Sequence, residues 1–262
     1  MIPRRFIQEW SKVVPWQEPR QIEQDLIINS ALLKLYNHSE LKKSLALRGG
    51  TALNKLFFEL QSRYSEDIDL VQVNAEPVGH TIDCIRTVMD LWLGKPNRSF
   101  SDGLVTLSYR VVSDDGFPIR LKIEINTREH VSILGFSDHL FSSKSSWVSG
   151  SVTILTFQIE ELLGTKLRAL YQRRKGRDLY DLYVALTTIH SLDIEKIIHC
   201  FYSYMRLNNT KVSKSTLIKN VEMKLKNKEF YGDMLPLLPH KHAALDLNLV
   251  YSYVHDKLFM KL

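Results

Sequence analysis

The sequence predicts an α+β protein, with strands and helices in its first half and helices alone in its second half. Two observations carry this prediction. Apolar and polar residues alternate over 105–111 and again over 119–125, as expected for strands with one buried face. From Gln158 onward the apolar residues recur at helical spacing almost to the end of the chain. A run of strands followed by a run of helices is typical of α+β architecture.

The individual elements follow from the same periodicities and from turn residues. Asp114-Asp115-Gly116 supplies a turn between the two alternating strands, which predicts an antiparallel hairpin. The serine-rich stretch Ser142–Ser151 is expected to be a surface loop, and Thr156 is expected to be the N-cap of the first late helix. The remaining predicted elements are helices over 20–36, 52–60 and 79–93, short strands over 45–47 and 68–73, and late helices over 158–174, 178–190, 193–206, 213–227 and 243–259.

Composition excludes several classes of protein. No apolar run approaches the roughly 20 residues that cross a bilayer, and the first residues lack the apolar core of a secretory signal. Two cysteines, Cys84 and Cys200, cannot form a disulfide framework or a cysteine-based zinc site. We therefore expect a cytoplasmic protein with no membrane partner.

The charge balance favours anionic partners. The chain carries 35 Lys+Arg against 29 Asp+Glu, a formal net charge of +6. Basic residues crowd 166–177 and again 206–228, and local positive potential attracts nucleic acid or nucleotide phosphates. The same runs are also typical of solvated helix faces.

Asp67 and Asp69 lie in a predicted strand, where a side-chain period of two places both carboxylates on one face. Neighbouring carboxylates repel each other unless a cation lies between them, and hard oxygen ligands suit Mg²⁺ or Mn²⁺. The pair is thus a candidate metal site, although Asp-x-Asp pairs are also common on protein surfaces.

Glu124 adds a third carboxylate, on the polar face of the second strand of the hairpin. If this strand pairs beside the Asp67 strand, the three carboxylates can converge and hold the metals of a phosphoryl displacement. Otherwise Arg120, Lys122 and Glu124 simply face water.

Gly49-Gly50-Thr51 lies between a short apolar strand and a helix. Glycines let the backbone approach a phosphate, and Lys55 and Arg63 could supply positive charge. The segment matches neither the P-loop nor the dinucleotide-binding pattern, so a structural turn explains the glycines equally well.

A further charged group comes from the late helices. Lys166 and Arg173 fall on one helix face, and Asp178 and Asp181 share a face of the next helix. Alternatively, these two aspartates simply pair with Arg174 and Arg177.

Four segments in this order resemble the AbiEii/AbiGii nucleotidyltransferase toxin family. They are Leu47-Arg-Gly-Gly-Thr-Ala-Leu-Asn-Lys55, Arg63-Tyr-Ser-Glu-Asp-Ile-Asp-Leu70, Lys166-Leu-Arg-Ala-Leu170 and Arg177-Asp-Leu-Tyr-Asp-Leu-Tyr183. The resemblance implies a nucleotidyltransferase-type mixed β-sheet with flanking helices, followed by a helical C-terminal half. It places a nucleotidyltransferase core with an N-terminal helix at 1–150 and a helical domain, expected to complete the active-site cleft, at 151–262.

The same resemblance implies a metal-dependent toxin of a toxin–antitoxin or abortive-infection system. Such an enzyme transfers a nucleoside monophosphate from a nucleoside triphosphate (NTP) to an RNA acceptor, expected to be transfer RNA, and releases pyrophosphate. A cognate antitoxin protein is expected as a partner, and Mg²⁺ or Mn²⁺ as the cofactor.

Individual residues match the family's motifs. By resemblance, Gly49, Gly50 and Thr51 form the phosphate-binding turn, and Thr51 replaces the serine that is usual in the wider superfamily. The resemblance also makes Asp67 and Asp69 the metal-binding pair. It implies that Lys166 contacts the triphosphate and that Asp178 or Asp181 is the functional acid. Glu124 as a third metal ligand comes from the wider superfamily. Arg173, Arg174 and Lys175 are expected to hold RNA phosphates.

Two alternatives keep the fold. One is a nucleotidyltransferase whose acceptor is a small molecule, such as an aminoglycoside, or a protein side chain. The other is a non-catalytic module that only binds nucleic acid or a partner protein. Retention of both Asp67 and Asp69 argues against the second, because a dead site has no need of two adjacent like charges.

Overall fold

The computed structural model describes residues 2–239 and 245–262. The chain divides into two compact units. The first consists of Met1–Leu56, Tyr64–Val131 and Phe136–Phe157, and the second of Phe57–Arg63, Ser132–Gly135 and Gln158–Leu262. Within the described residues we find no helix whose length and apolar character together suit a bilayer crossing.

The first unit contains all the strands that the structure describes. Its helices are α1 (Arg4–Trp10), α2 (Pro19–Asn37), α3 (Ser39–Ser44), α4 (Gly49–Ala52) and α5 (Gly79–Leu93), with a π-helical turn at Leu53–Phe57. Its strands are β1 (Leu45–Arg48), β2 (Asp67–Gln72), β3 (Asn97–Ser101), β4 (Leu104–Val112), β5 (Pro118–Asn126), β6 (Phe136–Lys144) and β7 (Ser149–Phe157).

These strands form one mixed sheet in the order β3-β4-β5-β2-β1-β7-β6. Strand β2 runs parallel to β5 and antiparallel to β1, while β1 runs parallel to β7. The other neighbours, including the predicted β4–β5 hairpin, are antiparallel. The predicted fold class, a mixed sheet with flanking helices followed by a helical half, is confirmed.

The two faces of the sheet differ in polarity because side chains alternate along each strand. On one face lie buried aliphatic residues such as Ile68, Leu70 and Ile123. Helix α2 packs against β5 and β7, and α5 packs against β4. Each large aliphatic side chain buried in this way contributes about 1.5–3 kcal/mol. The opposite face carries the charged residues of β2 and β5.

The second unit is helical, as predicted. Its elements are α6 (Ile159–Gln172), α7 (Gly176–Thr188), α8 (Ile194–Leu207), α9 (Lys214–Leu225), α10 (Lys228–Gly232) and α11 (Leu247–Lys257), with 3₁₀ turns at Leu235–Leu237 and Phe259–Lys261. Helices α6 and α8 cross closely at Gly164, where a methyl group would lie 2.6 Å from Cβ of Cys200.

Two local predictions were wrong. Most of the serine-rich stretch Ser142–Ser151 is the β6–β7 hairpin, in which the hydroxyls of Ser142 and Ser151 meet at 2.8 Å. Backbone hydrogen bonds hold this hairpin together. Its serines show no alternation of apolar and polar residues from which strands could be predicted. Thr156 is a residue of β7, where its hydroxyl donates to the carbonyl of Leu47, and Gln158 is the N-cap of α6.

The helix predicted over 52–60 begins earlier than expected. It starts at Gly49 directly after β1, and a π-helical turn carries it to Phe57. The glycines are therefore the first helical residues, and no separate loop precedes the helix.

Candidate active site

The junction between β1 and α4 depends on a glycine at position 49. Gly49 has φ = +75°, a left-handed conformation that residues with a Cβ rarely adopt. A methyl group there would lie 2.1 Å from Oδ2 of Asp69. The bend thus brings the main chain directly against one of the predicted metal ligands.

Three carboxylates share the polar face of the sheet in the first unit. In the β1–β2 pair, Asp69 lies opposite Arg48, and in the parallel β2–β5 pair, Asp69 lies opposite Glu124. Asp67 lies opposite Lys122. The strand that carries Glu124 does pair beside β2, which was the condition for the three carboxylates to converge, and Glu124 faces the same side as Asp67 and Asp69.

The electrostatics of this face penalise negative charge. Burial raises the pKa of Asp67 to about 6, and the neighbouring carboxylates of Asp69 and Glu124 act in the same direction against the opposing charge of Lys122. The Nζ of Lys122 lies 4.0 Å from the Asp67 carboxylate. One lysine thus only partly offsets the repulsion, and a divalent cation would relieve it.

The donor set fits Mg²⁺ or Mn²⁺ that arrives with a nucleotide. Among the described residues, no group of three or more His, Cys, Asp or Glu side chains is arranged to hold a metal ion. Mg²⁺ is commonly bound by one or two carboxylates together with substrate phosphates and water. Asp67 and Asp69 supply such a pair, and Glu124 as a third ligand stays a prediction.

Thr51 and Gly50, the other predicted residues of the phosphate-binding turn, are buried. The Thr51 hydroxyl donates to the backbone carbonyl of Asp67 at 2.5 Å and meets the Ser65 hydroxyl at 2.8 Å. Asn54 donates to the carbonyl of Gly50 at 2.9 Å. In this structure the Thr51 side chain therefore fixes the start of β2 relative to the glycine bend.

Lys55, also predicted to bind nucleotide, lies in a buried ion pair. Its Nζ is 2.8 Å from Asp25 of helix α2, and both side chains are almost fully buried. The indoles of Trp10 and Trp16 donate to the same carboxylate, at 3.0 and 3.4 Å. Lys55 thus ties the π-helical turn to α2 and to the N-terminal segment.

The second unit contains a dense network of buried charges. Lys166 of α6 lies 3.3 Å from Asp178 and 2.8 Å from Asp181, and both aspartates are fully buried in α7. Arg63 donates to both oxygens of Asp181, at 2.6 and 2.8 Å. Arg173 makes the corresponding pair of bonds to Asp178, at 2.7 and 2.8 Å.

These cations keep both aspartates ionised. Burial opposes the charge of Asp181, but Arg63 and Lys166 outweigh it and hold its pKa below its usual range. Burial likewise opposes the charge of Asp178, whose pKa is nevertheless lowered by Lys166 and Arg173. The aspartates do pair with cations, as one alternative expected, but these partners differ from the expected Arg174 and Arg177.

The three residues predicted to bind RNA have different surroundings. Arg173 pairs with Asp178, yet its side chain is 48% exposed. Arg174 is exposed, whereas Lys175 lies 2.9 Å from Asp233. Arg173 and Arg174 are thus both exposed, and Lys175 is half-buried in its ion pair.

The sequence reasoning missed the partners of Arg63. The pairing of Arg63 with Asp181 spans 118 residues, and local spacing carries no signal for such a contact. The only signal in the sequence was that Arg63 and the pair Asp178 and Asp181 all lie within the segments that resemble the family.

Comparison with solved structures shows the fold. The nucleotidyltransferase toxin MenT4 of Mycobacterium tuberculosis H37Rv is 14% identical, with a TM-score of 0.61 over 97% of this chain and 99% of that one. The Helicobacter pylori protein JHP933 is 15% identical, with a TM-score of 0.54 over 94% and 96% of the two chains. No curated protein matches this chain in sequence.

A family model decides the assignment. The model described as nucleotidyl transferase AbiEii toxin, type IV toxin–antitoxin system, matches residues 31–247, which is most of the chain. That range includes the glycine bend, the Asp67–Asp69 pair and the charge network around Lys166. The chain therefore belongs to the AbiEii family of nucleotidyltransferase toxins.

Proposed function

We propose that this toxin transfers a nucleoside monophosphate from an NTP to a hydroxyl of an RNA acceptor, with transfer RNA as the expected substrate. The observation that carries the proposal is the contact between the bend at Gly49 and the carboxylate of Asp69. A phosphate-binding backbone and a metal-binding carboxylate belong side by side in nucleotidyl transfer, because a metal held by the carboxylate would neutralise the charge of the phosphates.

In this proposal Asp67 and Asp69 hold the Mg²⁺ or Mn²⁺, and the backbone at Gly49–Thr51 receives the phosphates. When bound, the metal neutralises the charge that develops on the phosphoryl oxygens. The acceptor hydroxyl gives up its proton to Glu124 or to water and attacks the α-phosphorus in line, the bond between that phosphorus and the α–β bridging oxygen breaks, and pyrophosphate leaves. Most of the rate enhancement comes from positioning and electrostatics.

The remaining acids divide between two roles. To Glu124, opposite Asp69 on the next strand, we assign the orientation of the acceptor hydroxyl or the completion of the metal site. Asp178 and Asp181 are fully buried and saturated by cations, which suits them to hold Lys166 in place rather than to accept a proton. For Lys166 itself we propose the triphosphate contact that the family resemblance implies.

The choice of RNA rests on charge. The net charge of +6 and the exposed Arg174 beside Arg173 favour a polyanionic acceptor, held through its phosphates. Membership of a toxin family adds a cognate antitoxin as the proposed partner.

Label transfer tests the proposal. The protein is incubated with each of the four α-labelled NTPs, Mg²⁺ and total RNA, alongside Asp67→Ala, Asp69→Ala and Asp83→Ala variants. Asp83 is an exposed acid of α5 and serves as the matched control. We expect label in small RNAs with the parent protein and with Asp83→Ala, none with the two site variants, and none when Mg²⁺ is chelated.

Other outcomes point elsewhere. Label that persists in Asp67→Ala and Asp69→Ala would contradict the site. Label in protein or in an added aminoglycoside, but not in RNA, would show that the acceptor is not RNA and would leave nucleotidyl transfer as the reaction.

A further inference from the structure

Two arginines lie directly opposite each other on the polar face of the sheet. In the β4–β5 pair, Arg110 lies opposite Arg120, and Ser108 lies opposite Lys122. Side chains in such positions have Cβ atoms about 5 Å apart. Both arginines are exposed. Together with Lys122, they place three cations in two neighbouring cross-strand pairs of this face.

Like charges in opposite positions of a β-ladder destabilise it unless something offsets them. The Nε of Arg120 donates to the Ser108 hydroxyl at 2.8 Å, which fixes the guanidinium but adds no negative charge. Neither arginine forms an ion pair with a carboxylate within residues 2–239 and 245–262. The arrangement is therefore suited to an anion that lies between the two side chains.

The cations adjoin the candidate active site through the sheet itself. Lys122, two residues along β5 from Arg120, lies opposite Asp67. All these side chains share one face, since their registers follow from the same continuous pairing of β2, β5 and β4. An anion bound by the arginines is thus one or two strand spacings, about 5–10 Å, from the carboxylate pair.

The order of the strands indicates which anion this is. Strand β1, with the bend at Gly49, flanks β2 on one side, and β5 and β4 flank it on the other. In an in-line displacement the acceptor approaches opposite the leaving pyrophosphate. If the triphosphate lies at the glycine bend, the acceptor strand enters from the β5–β4 side.

We infer that Arg110, Arg120 and Lys122 form a phosphate-binding site for the backbone of the RNA acceptor. This inference rests on the proposed function and deepens it, because it names the surface that holds the acceptor. The arginines pair planar guanidinium groups with a backbone phosphate, and Lys122 lies between that phosphate and Asp67.

The test compares Arg110→Gln/Arg120→Gln with Lys95→Gln/Arg98→Gln. The second double variant removes the same charge from exposed positions at β3, where Arg98 faces the other side of the sheet. Binding of fluorescently labelled transfer RNA is followed by anisotropy over a range of salt concentrations. Michaelis constants for RNA and for the NTP are measured in the transfer assay.

We expect Arg110→Gln/Arg120→Gln to weaken RNA binding at least about tenfold near 0.1 M salt and to lower the salt slope by about 1 for each lost phosphate contact. Its Michaelis constant for the NTP should match the parent value. Lys95→Gln/Arg98→Gln should bind RNA as the parent does. Thermal melting should show both variants folded, since all four positions are exposed.

Two results would overturn the inference in different ways. Parent-like RNA affinity and salt slope in Arg110→Gln/Arg120→Gln would remove this site and leave the proposed reaction standing. Failure of the parent protein to bind or label any RNA would remove both the acceptor and this site. Equal weakening of RNA binding in the two double variants would mean that the effect comes from the overall charge of the protein, and this would also contradict the inference.

Discussion

Gly49 meets two structural requirements of the candidate active site, one for the path of the chain and one for the position of Asp69. The positive φ of Gly49 turns the chain from β1 into α4, and the absent side chain leaves room for Oδ2 of Asp69. A larger residue would have to strain the backbone and displace the carboxylate at once. The site therefore depends on this glycine for both the path of the chain and the position of the acid.

Gly49→Ala should abolish nucleotidyl transfer and lower the free energy of unfolding. The left-handed backbone alone costs about 1–2 kcal/mol for alanine, and displacement of Asp69 adds to this cost. Urea unfolding and the label-transfer assay measure the two effects.

Gly94→Ala is the matched control, because Gly94 has φ = +74° but a methyl group there meets nothing within 4 Å. It should show a similar backbone cost with parent activity. Full activity in Gly49→Ala would contradict the role of the bend.

At the scale of the elements, the sequence predicted those whose two faces differ in polarity. The β4–β5 hairpin and α5 have one apolar face, and their periodicity located them correctly. Helix α2 was also located from apolar spacing, although it is buried all round from Ile22 to Leu33. Strand β3 is exposed along its whole length and β6 along much of it, so neither carries that signal. Hydrogen bonds to a neighbouring strand define them, and such bonds depend on the fold rather than on local spacing.

The charge network links three segments of the second unit: helix α6 through Lys166, helix α7 through Asp178 and Asp181, and the chain before β2 through Arg63. Removing a buried partner leaves uncompensated charge, which typically costs about 3–5 kcal/mol. The network thus holds Lys166 in a fixed position, and replacement of any of its buried members is expected to destabilise the protein.

Asp181→Asn should destabilise the protein by about 3–5 kcal/mol at pH 7. The pKa of Asp181 is lower in the folded state than in the unfolded state, so its stabilisation is full above the unfolded pKa of about 3.9 and is lost as pH falls through the folded value. The parent should therefore lose stability from about pH 5 downward, and the variant should lose less over that window.

Urea unfolding at several pH values measures this difference. Asp83→Asn, which removes an exposed acid 3.9 Å from Arg86, should change stability by less than about 1 kcal/mol. A pH dependence in Asp181→Asn as steep as that of the parent would contradict the assignment.

At the scale of the whole molecule, the sequence indicated local side-chain placement better than long-range contacts. Strand period predicted one shared face for Asp67 and Asp69, and this is confirmed, whereas the approach of Glu124 depended on a strand pairing that only the structure shows. The opposition of Arg110 and Arg120 needed the register of the hairpin, which turn residues alone do not determine. The net charge of +6 suggested a polyanion, but only the folded sheet shows where three of those cations gather.

The central claim is that Asp67 and Asp69 hold a divalent metal together with an NTP. Its most direct test is the binding of Mn²⁺, followed by electron paramagnetic resonance, to the parent and to Asp67→Asn, Asp69→Asn and Asp83→Asn with a non-hydrolysable triphosphate. We predict that the triphosphate tightens Mn²⁺ binding in the parent and in Asp83→Asn, and that both site variants bind at least about tenfold more weakly, as expected when a ligand is lost. Unchanged Mn²⁺ affinity in Asp67→Asn and Asp69→Asn would contradict the account.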